Sequence, residues 1–421
     1  MQNAAEHHEV IVVGGGQAGL SMSYYLKQSG IDHVVLNKGQ LADSWRHERW
    51  DNFCLVTPNW QCQLPGFYYQ GDDPDGFMVK DEIIKYIEDY AASFAPPLKN
   101  GVKVEDVIYE DGLFKLTSTD GPYTANKVVV ACGSYHHPKI PAMAENAPKD
   151  VLQLHAAHYK NASQLPEGGV LVVGSGQSGC QIAEDLHLAG RKAYLSVGSA
   201  PRVSRRYRGK EVVNWLDEMG YYETTIEQHP DGKAARKKTN HYVTGRDGGR
   251  DINLRLLAQD GMKLYGRLSS IQGSQLLFED NLAQNLDNAD KVAERINSDI
   301  EHYITNNNIQ APPDDSIKST FVPDTQLNLD LQSENINTII WSTGFHMDFS
   351  WIKLPVFESG GYPDQTRGVT RMEGLYFLGL NWQNTWGSGR FYHVGKDALY
   401  IMEHMLQSKS EPITIKNQLL A

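Results

Sequence analysis

The chain is short of cysteine, of positive charge and of long apolar runs, and each shortage narrows what it can be. Its 421 residues hold four cysteines, Cys54, Cys62, Cys132 and Cys180, with no Cys-x-x-Cys pair and no metal-ligand spacing. No metal site is expected. The close redox-active pair that passes electrons from a flavin to a disulfide is also missing. Cys54 and Cys62 could meet only if the fold brought them together, and four inert buried thiols are expected instead. Lys and Arg number 39 against 51 Asp and Glu, a net charge of −12. That balance argues against nucleic acid or an anionic membrane as a partner. No apolar run approaches the length of a membrane span. The polar start, Met1–Glu9, has no basic region, so Val10–Val13 is expected to be a core strand of a cytoplasmic protein and not part of a signal peptide.

What is present is one glycine fingerprint used twice. Gly14-Gly15-Gly16-Gln17-Ala18-Gly19 follows the apolar strand Glu9–Val13 and enters a helical run at Leu20–Gln28. Gly174-Ser175-Gly176-Gln177-Ser178-Gly179 follows Gly169–Val173 and enters Cys180–Leu188. Strand, glycine turn and helix together are the context in which G-x-G-x-x-G signals a dinucleotide. The first glycine makes the tight turn, the second lets backbone approach a pyrophosphate, and the third lets helix and strand pack closely. Two such sites in one chain suggest electron traffic between two dinucleotides.

The strand after each fingerprint should carry the ribose contact. After the first, His33–Leu36 ends at Asn37 and Lys38, so an amide stands where an acid is usual. After the second, Lys192–Val197 ends with no acid, followed by Ser199, Arg202, Arg205, Arg206 and Arg208. Arginine forks in place of an acid favour a 2′-phosphate, hence NADPH over NADH; the alternative is a solvated basic loop.

Between these units Trp45–Pro65 reads as a long ordered loop rich in tryptophan, and Asp81–Ala92 as an amphipathic helix. Strands are expected at Val102–Tyr109, Leu113–Ser118 and Lys127–Ala131, the last running into Cys132 and Gly133. Gly245–Asp251 could order a ligand through Arg246 and Arg250 or could be an internal ion-paired loop. The helical stripe from Leu282 to Ile304 is expected to pack on its own domain. Ala311–Asp315 reads as a linker back. Ile336–Trp341 and Leu375–Leu380 are further strands, ending near Gly344 and Gly379, and Gly387 lies in a glycine turn that feeds a helix at Val394–Met405. A helix start of that kind suits an anionic partner such as the pyrimidine edge of reduced flavin. The expected fold is α/β with two Rossmann-like dinucleotide-binding domains, the second inserted in the first. Residues 1–165 and 313–421 would form the first domain, and 166–312 the second with a helical insertion.

This organisation resembles the flavin-containing (class B) monooxygenases and related bacterial FAD-dependent oxidoreductases, some described as flavoproteins of potassium transport. Trp45-Arg46, Leu64–Phe67 and Phe77–Asp81 resemble the family's first-domain loop and helix entry. Ala131-Cys132-Gly133 and Ser342–Phe345 resemble its two strand ends where the chain crosses between domains. His155 and Tyr159 hold the spacing of its linker fingerprint, while Lys149 and Val151 stand at its Phe and Gly positions. Thr57–Trp60 and His241–Gly249 are similar to a bacterial subfamily whose genes accompany a nitrilase, which hints at small nitrogen-containing substrates.

The resemblance implies FAD on Gly14, Gly16 and Gly19 and NADPH on Gly174, Gly176 and Gly179. Hydride would pass from NADPH to FAD, and a C4a-(hydro)peroxyflavin would then give oxygen to a small amine, sulfide or carbonyl compound. The cofactor carries that chemistry, so no Ser–His–Asp or paired-carboxylate constellation is needed. Asn59, Trp60 and Tyr392 are candidates to line the pocket, though each could equally serve the core or a loop. A flavin reductase or oxidase releasing hydrogen peroxide is the enzyme alternative, and a nucleotide-sensing flavoprotein the non-enzymatic one. The partners expected are a small molecule and dioxygen, with a homodimer left open.

Overall fold

Two parallel sheets carry the two fingerprints at equivalent places. The computed structural model describes residues 4–314, 319 and 321–407; Met1–Asn3 and Asp315 of the segments read above lie outside them. In the first sheet Glu6–Val13 lies between His33–Asn37 and Gly121–Val130, parallel to both. Leu375–Phe377 adds on the far side of Gly121–Val130, again parallel, and Leu98–Asn100 extends the other edge. The hairpin Val104–Glu110 and Leu113–Ser118 joins the same sheet antiparallel. The second sheet has five strands in the order Leu152–His155, Ile336–Trp341, Gly169–Val173, Ala193–Ser196 and Lys263–Tyr265, all parallel.

The near-continuous apolar runs are explained by this arrangement. Every residue of Gly169–Val173 is buried, because a central parallel strand is covered on both faces. One cover is the helix Gln177–Leu188; the matching cover of the first sheet is Gln17–Gln28, which packs beside Val394–Gln407. The stripe on the helix Leu282–Asn306 does pack on its own domain. Leu282, Leu286 and Ala289 join the core of the second sheet, and Ile300 and Ile304 hold Val212 and Trp215 of a short helix.

The sheets correct one expectation about the chain's course. Ile336–Trp341 was expected beyond the crossing, in the first domain, but it pairs inside the second sheet. Leu152–His155, within the residues 1–165 assigned to the first domain, pairs with it. Both are short strands, and their sequence says nothing of which sheet they join. The C-terminal return to the first sheet is made by Leu375–Phe377.

A large insertion, residues 197–262, leaves the second sheet between Ala193–Ser196 and Lys263–Tyr265. It carries the helix Val212–Glu218 and the turn Tyr221–Glu223, and it docks on the C-terminal segment of the first sheet. The Ile226 amide donates to the Asn384 carbonyl (2.6 Å), Tyr392 donates to Asp217 (2.6 Å) and Lys396 pairs with Glu223 (2.7 Å). Among the described residues no helix is long and apolar enough to cross a membrane.

Candidate functional site: two glycine turns and the junction between them

Both fingerprints adopt one geometry. Gly14 has φ +112° and Gly174 φ +105°, a region closed to most side chains. A Cβ on Gly14 would lie 2.6 Å from the Ala131 carbonyl oxygen, and one on Gly174 would lie 2.5 Å from that of Ser342. Gly19 and Gly179 bear the tightest contact, since a Cβ there would meet the Gly14 or Gly174 carbonyl oxygen at 1.8 Å. Gly16 and Gly176, by contrast, face open space or only the Thr239 methyl at 3.5 Å. The outer glycines are thus fixed by packing, and the middle ones leave the backbone bare where a pyrophosphate would lie against the helix start. Because the strands are in register, Val13 sits level with Leu36 and Val130. Asn37 and Ala131-Cys132-Gly133 therefore meet the first turn at the carboxyl edge, where open sheets bind ligands.

Gln17 and Gly379 tie the C-terminal segment to this turn. The Gln17 amide donates to the Gly389 carbonyl (3.2 Å), and a Cβ on Gly379 would strike the Ala18 methyl at 2.6 Å. On the other side Thr239 lies over Gly176, and its neighbour Asn240 accepts from Arg390 (3.1 Å). A continuous path, Gln17–Gly389–Arg390–Asn240–Thr239–Gly176, joins the two fingerprints. The sequence could not supply it.

Asn37 has its amide engaged. Its oxygen accepts from the Gly15 amide (3.2 Å), and its NH₂ donates to Gly39, Gln40 and Asn100. It shapes the turn, and Lys38 beside it is exposed. Trp45 stacks on Phe391 with centroids 5.8 Å apart, and Arg46 pairs with Glu88. Gly133 and Gly344 both have positive φ and open space beside them. Gly387 packs closely on His393.

The arginine cluster after the second strand is not the free set its sequence suggested. Arg202 pairs with Asp290 (2.5 Å), Arg206 with Glu211 (2.9 Å) and Arg208 with Glu301 (2.9 Å). Arg205 is 3% exposed, pairs with Glu211, and donates to the Val56 carbonyl of the first-domain loop (2.8 Å). It rivets the insertion to that loop and has no face turned to a phosphate. Asp290 and Glu301, on a helix far along the chain, meet Arg202 and Arg208, while the nearby Glu211 takes both Arg205 and Arg206. Ser199 and Arg206 are the exposed members of the set, and Arg206 spends its guanidinium on Glu211. The loop Gly245–Asp251, left open above, is internal: Arg246 pairs with the buried Asp185 (2.7 Å) and Arg250 with the buried Glu184 (2.9 Å).

Of the three pocket candidates, two come together. Trp60 and Tyr392 meet edge to face at 5.5 Å, and Tyr222 packs against both Tyr392 and Trp386. Asn59 is spent on its own loop, accepting from the Met78 amide (2.8 Å) and donating to the Asp73 carbonyl (2.9 Å). The linker pair is likewise structural. His155 donates from Nε2 to Gly344 (2.9 Å) and accepts at Nδ1 from Ala157, while Tyr159 donates to Asp185 (2.7 Å).

All four cysteines are free thiols. Only Cys62 and Cys180 are buried, while Cys54 is half-buried and Cys132 exposed, which corrects the expectation of four buried thiols; burial pushes Cys62 up to about 12. His136 lies 3.6 Å from the Cys132 sulfur, but its Nδ1 accepts from the Asp348 amide and its Nε2 then donates to Gly133. No free nitrogen remains to take the thiol proton.

Sequence reasoning passed over Arg49, Tyr222 and Asn240, named His241 only within a subfamily resemblance, and gave Arg390 no role. Arg49 and Arg390 form no ion pair among the described residues; each lies over an aromatic ring, Arg49 on Trp45 at 5.2 Å and Arg390 on Trp386 at 3.8 Å. Burial and the nearby Arg295 push His241 down to about 4. Unfolded, a histidine titrates near 6.5. The unfolded chain therefore takes up that proton first, and the stability His241 contributes is complete above about pH 6.5 and lost as pH falls to about 4. Melting temperatures measured across that window should fall, and His241→Gln should flatten the acid limb. A parallel profile for the variant would clear His241 of the effect.

This geometry has close counterparts. The family described as pyridine nucleotide-disulphide oxidoreductase matches residues 11–248. The chain belongs to that family. An uncharacterized CzcO-like oxidoreductase of Geobacillus kaustophilus is 36% identical over 94% of this chain and 98% of its own. Indole-3-pyruvate monooxygenase YUCCA6 of Arabidopsis thaliana is 32% identical over 47% of this chain and 49% of its own. A flavin monooxygenase from Stenotrophomonas maltophilia, solved as a doubly substituted form, shares the fold at TM-score 0.66 and 17% identity, covering 96% of this chain and 100% of that one. The protein is therefore an FAD- and NADPH-dependent oxidoreductase with a pair of Rossmann-type domains. The residues present suit both cofactors: each turn leaves its middle glycine bare at a helix start.

Proposed function

We propose that this oxidoreductase is a flavin monooxygenase of the cytoplasm, acting with NADPH and dioxygen on a small nitrogen-, sulfur- or carbonyl-containing molecule. One observation supports the reading: Gln17 of the first turn donates to the Gly389 carbonyl, and the adjacent Arg390 donates to Asn240, whose neighbour Thr239 lies over Gly176 of the second turn. In this reading Gly14, Gly16 and Gly19 hold FAD, and Gly174, Gly176 and Gly179 hold NADPH. Gln177 and Ser178, at the second helix start, would face the NADPH phosphates as Gln17 and Ala18 face those of FAD. FAD held there would supply hydride acceptance and oxygen activation; the chain's own task would be to align the two nucleotides and keep water out. Trp60, Tyr222, Trp386 and Tyr392 provide the apolar wall, and the insertion holding Asp217 and Glu223 provides the cover.

The thiols weigh against disulfide reduction, because all four are free and none is bonded to another. The test is stopped-flow absorbance of protein reduced anaerobically with NADPH and mixed with aerated buffer. A transient near-ultraviolet band before the oxidised spectrum returns is expected. Direct return of that spectrum with stoichiometric hydrogen peroxide would replace this reading with that of an oxidase.

A further inference from the structure

The helix that starts on the second fingerprint carries two buried acids where acids are least welcome. Glu184 and Asp185 lie toward the C-terminal end of Gln177–Leu188, the negative end of its dipole, and both are closed to solvent. Glu184 pairs with Arg250 of the insertion (2.9 Å). Asp185 is held from three separate stretches of chain. Asn52 of the first-domain loop donates to its Oδ1 (2.9 Å), and Arg246 of the insertion donates to the same oxygen (2.7 Å). Tyr159 of the linker donates to its Oδ2 (2.7 Å). Hydrogen bonds to an ionised carboxylate are about twice as strong as neutral ones, so this single group is a strong fastening.

The packing shows what it fastens. Trp50, just before Asn52, belongs to the core of the second sheet, beside Tyr159 and Cys180. Trp45 packs instead on the core of the first sheet and stacks on Phe391. The stretch from Trp45 to Asn52 therefore spans both cores, and Trp50 and Asp185 secure its far end to the second. The Asp51 amide adds a bond to the Lys160 carbonyl (2.8 Å), next to Tyr159. The cavity bounded by Asn52, Asp185 and Arg246 has a volume of about 10 Å³, room for one water molecule at most. The joint is too full to take a ligand, so its charge serves geometry.

We infer that Asp185 is a positioning residue for hydride transfer. Through Asn52 it sets the helix of the second turn, and with it NADPH, against the loop that reaches the first domain at Trp45. Asp185 lies about 12 Å along the helix from Gln177, too far to meet a pyrophosphate at the turn, so it acts through the helix. A misplacement of about 1 Å between reacting groups costs up to about a hundredfold in rate, so a loosened joint slows transfer more than it weakens binding. The inference rests on the second turn being the NADPH site, as proposed above.

The FAD-loaded enzyme is mixed anaerobically with NADPH in a stopped-flow instrument, and the limiting rate of flavin bleaching is separated from the NADPH Kd. Asp185→Asn should slow the limiting rate at least about tenfold, with Kd and FAD content within about twofold of the parent. Asn52→Asp, which sets two carboxylates against each other, should do the same. The exchange Asn52→Asp with Asp185→Asn restores a donor facing a carboxylate and keeps one negative charge beside Arg246, so it should recover most of the rate. Asn52→Ala is the variant least able to harm the fold, because Asn52 is exposed while Arg246 and Tyr159 still hold Asp185. Its loss of one hydrogen bond should slow the limiting rate about threefold. A limiting rate unchanged in Asp185→Asn and Asn52→Ala, with only melting temperature or Kd moved, overturns the inference, as does an exchange protein no faster than its single variants. Failure of the NADPH assignment would show separately, as normal NADPH binding by Gly179→Ala. Bleaching by NADPH precedes any reaction with oxygen, so an oxidase outcome leaves the result standing.

Discussion

Gly179→Ala should retain FAD and lose most of its affinity for NADPH. The added methyl would sit 1.8 Å from the Gly174 carbonyl oxygen and 2.9 Å from its carbon, both backbone atoms. No rotamer relieves such a contact, so the helix Gln177–Leu188 must move away from its strand and the turn must open. Overpacking of this kind costs about 1–3 kcal/mol, which here falls on the conformation that cradles the nucleotide. Expressed as affinity, that is about a tenfold to hundredfold rise in Kd. Gly176→Ala gives the contrast: its methyl meets only the Thr239 side chain, at 3.5 Å. The protein alone tolerates it, and any loss of affinity arises from crowding the pyrophosphate. Gly19→Ala, with the same 1.8 Å contact in the first turn, should instead yield a protein purified with little flavin. Flavin content and NADPH titration of the three variants decide the matter. A Gly179→Ala enzyme that binds NADPH normally would show that the second turn is a plain strand–helix connection.

The second large effect is expected at a residue whose sequence position suggested a ligand. Arg205→Ala should lower stability by up to about 3–5 kcal/mol, because it leaves the buried Glu211 carboxylate with only the largely exposed Arg206 as its ion-pair partner. Both side chains are nearly closed to solvent, 3% and 5% exposed. Burial pushes the arginine down and the glutamate up, and each is kept charged by the other. The guanidinium also lies 4.3 Å over the Phe77 ring and donates to the Val56 carbonyl, so its loss loosens the insertion from the first-domain loop. The double variant Arg205→Met, Glu211→Leu should recover much of that stability, since a buried ion pair replaced by apolar side chains leaves no orphan charge. Urea denaturation of the three proteins measures this. A cost below about 1 kcal/mol for Arg205→Ala would mean that water screens the pair as it does on a surface.

Much of the fold was legible because short-range rules govern it. Gly169–Val173, Leu113–Ser118 and Ile336–Trp341 fall where apolar runs and turn residues placed them. The helices beginning at Gln17 and Gln177 start on the fingerprints themselves. Glycine turns are readable for the same reason: a position with φ above +100°, or one where a Cβ would touch a carbonyl, admits little besides glycine. Trp60 and Tyr392, both candidates to line the pocket, are in ring contact, a contact that no sequence rule gives.

What the sequence by itself determined, then, is everything set by the chain's immediate neighbours: two strand–turn–helix units, the glycines they require, and the scarcity of cysteine that leaves no close redox pair. Only the tertiary structure decided which sheet Ile336–Trp341 enters, because a strand's hydrogen-bond partners lie far away in sequence. It likewise decided the fate of each charge. Arg205 and Arg390 are both arginines beside a fingerprint or a glycine turn. One is neutralised by Glu211 and buried, while the other meets only a carbonyl, an amide and an indole. Charge interactions act through space, over distances that folding alone fixes.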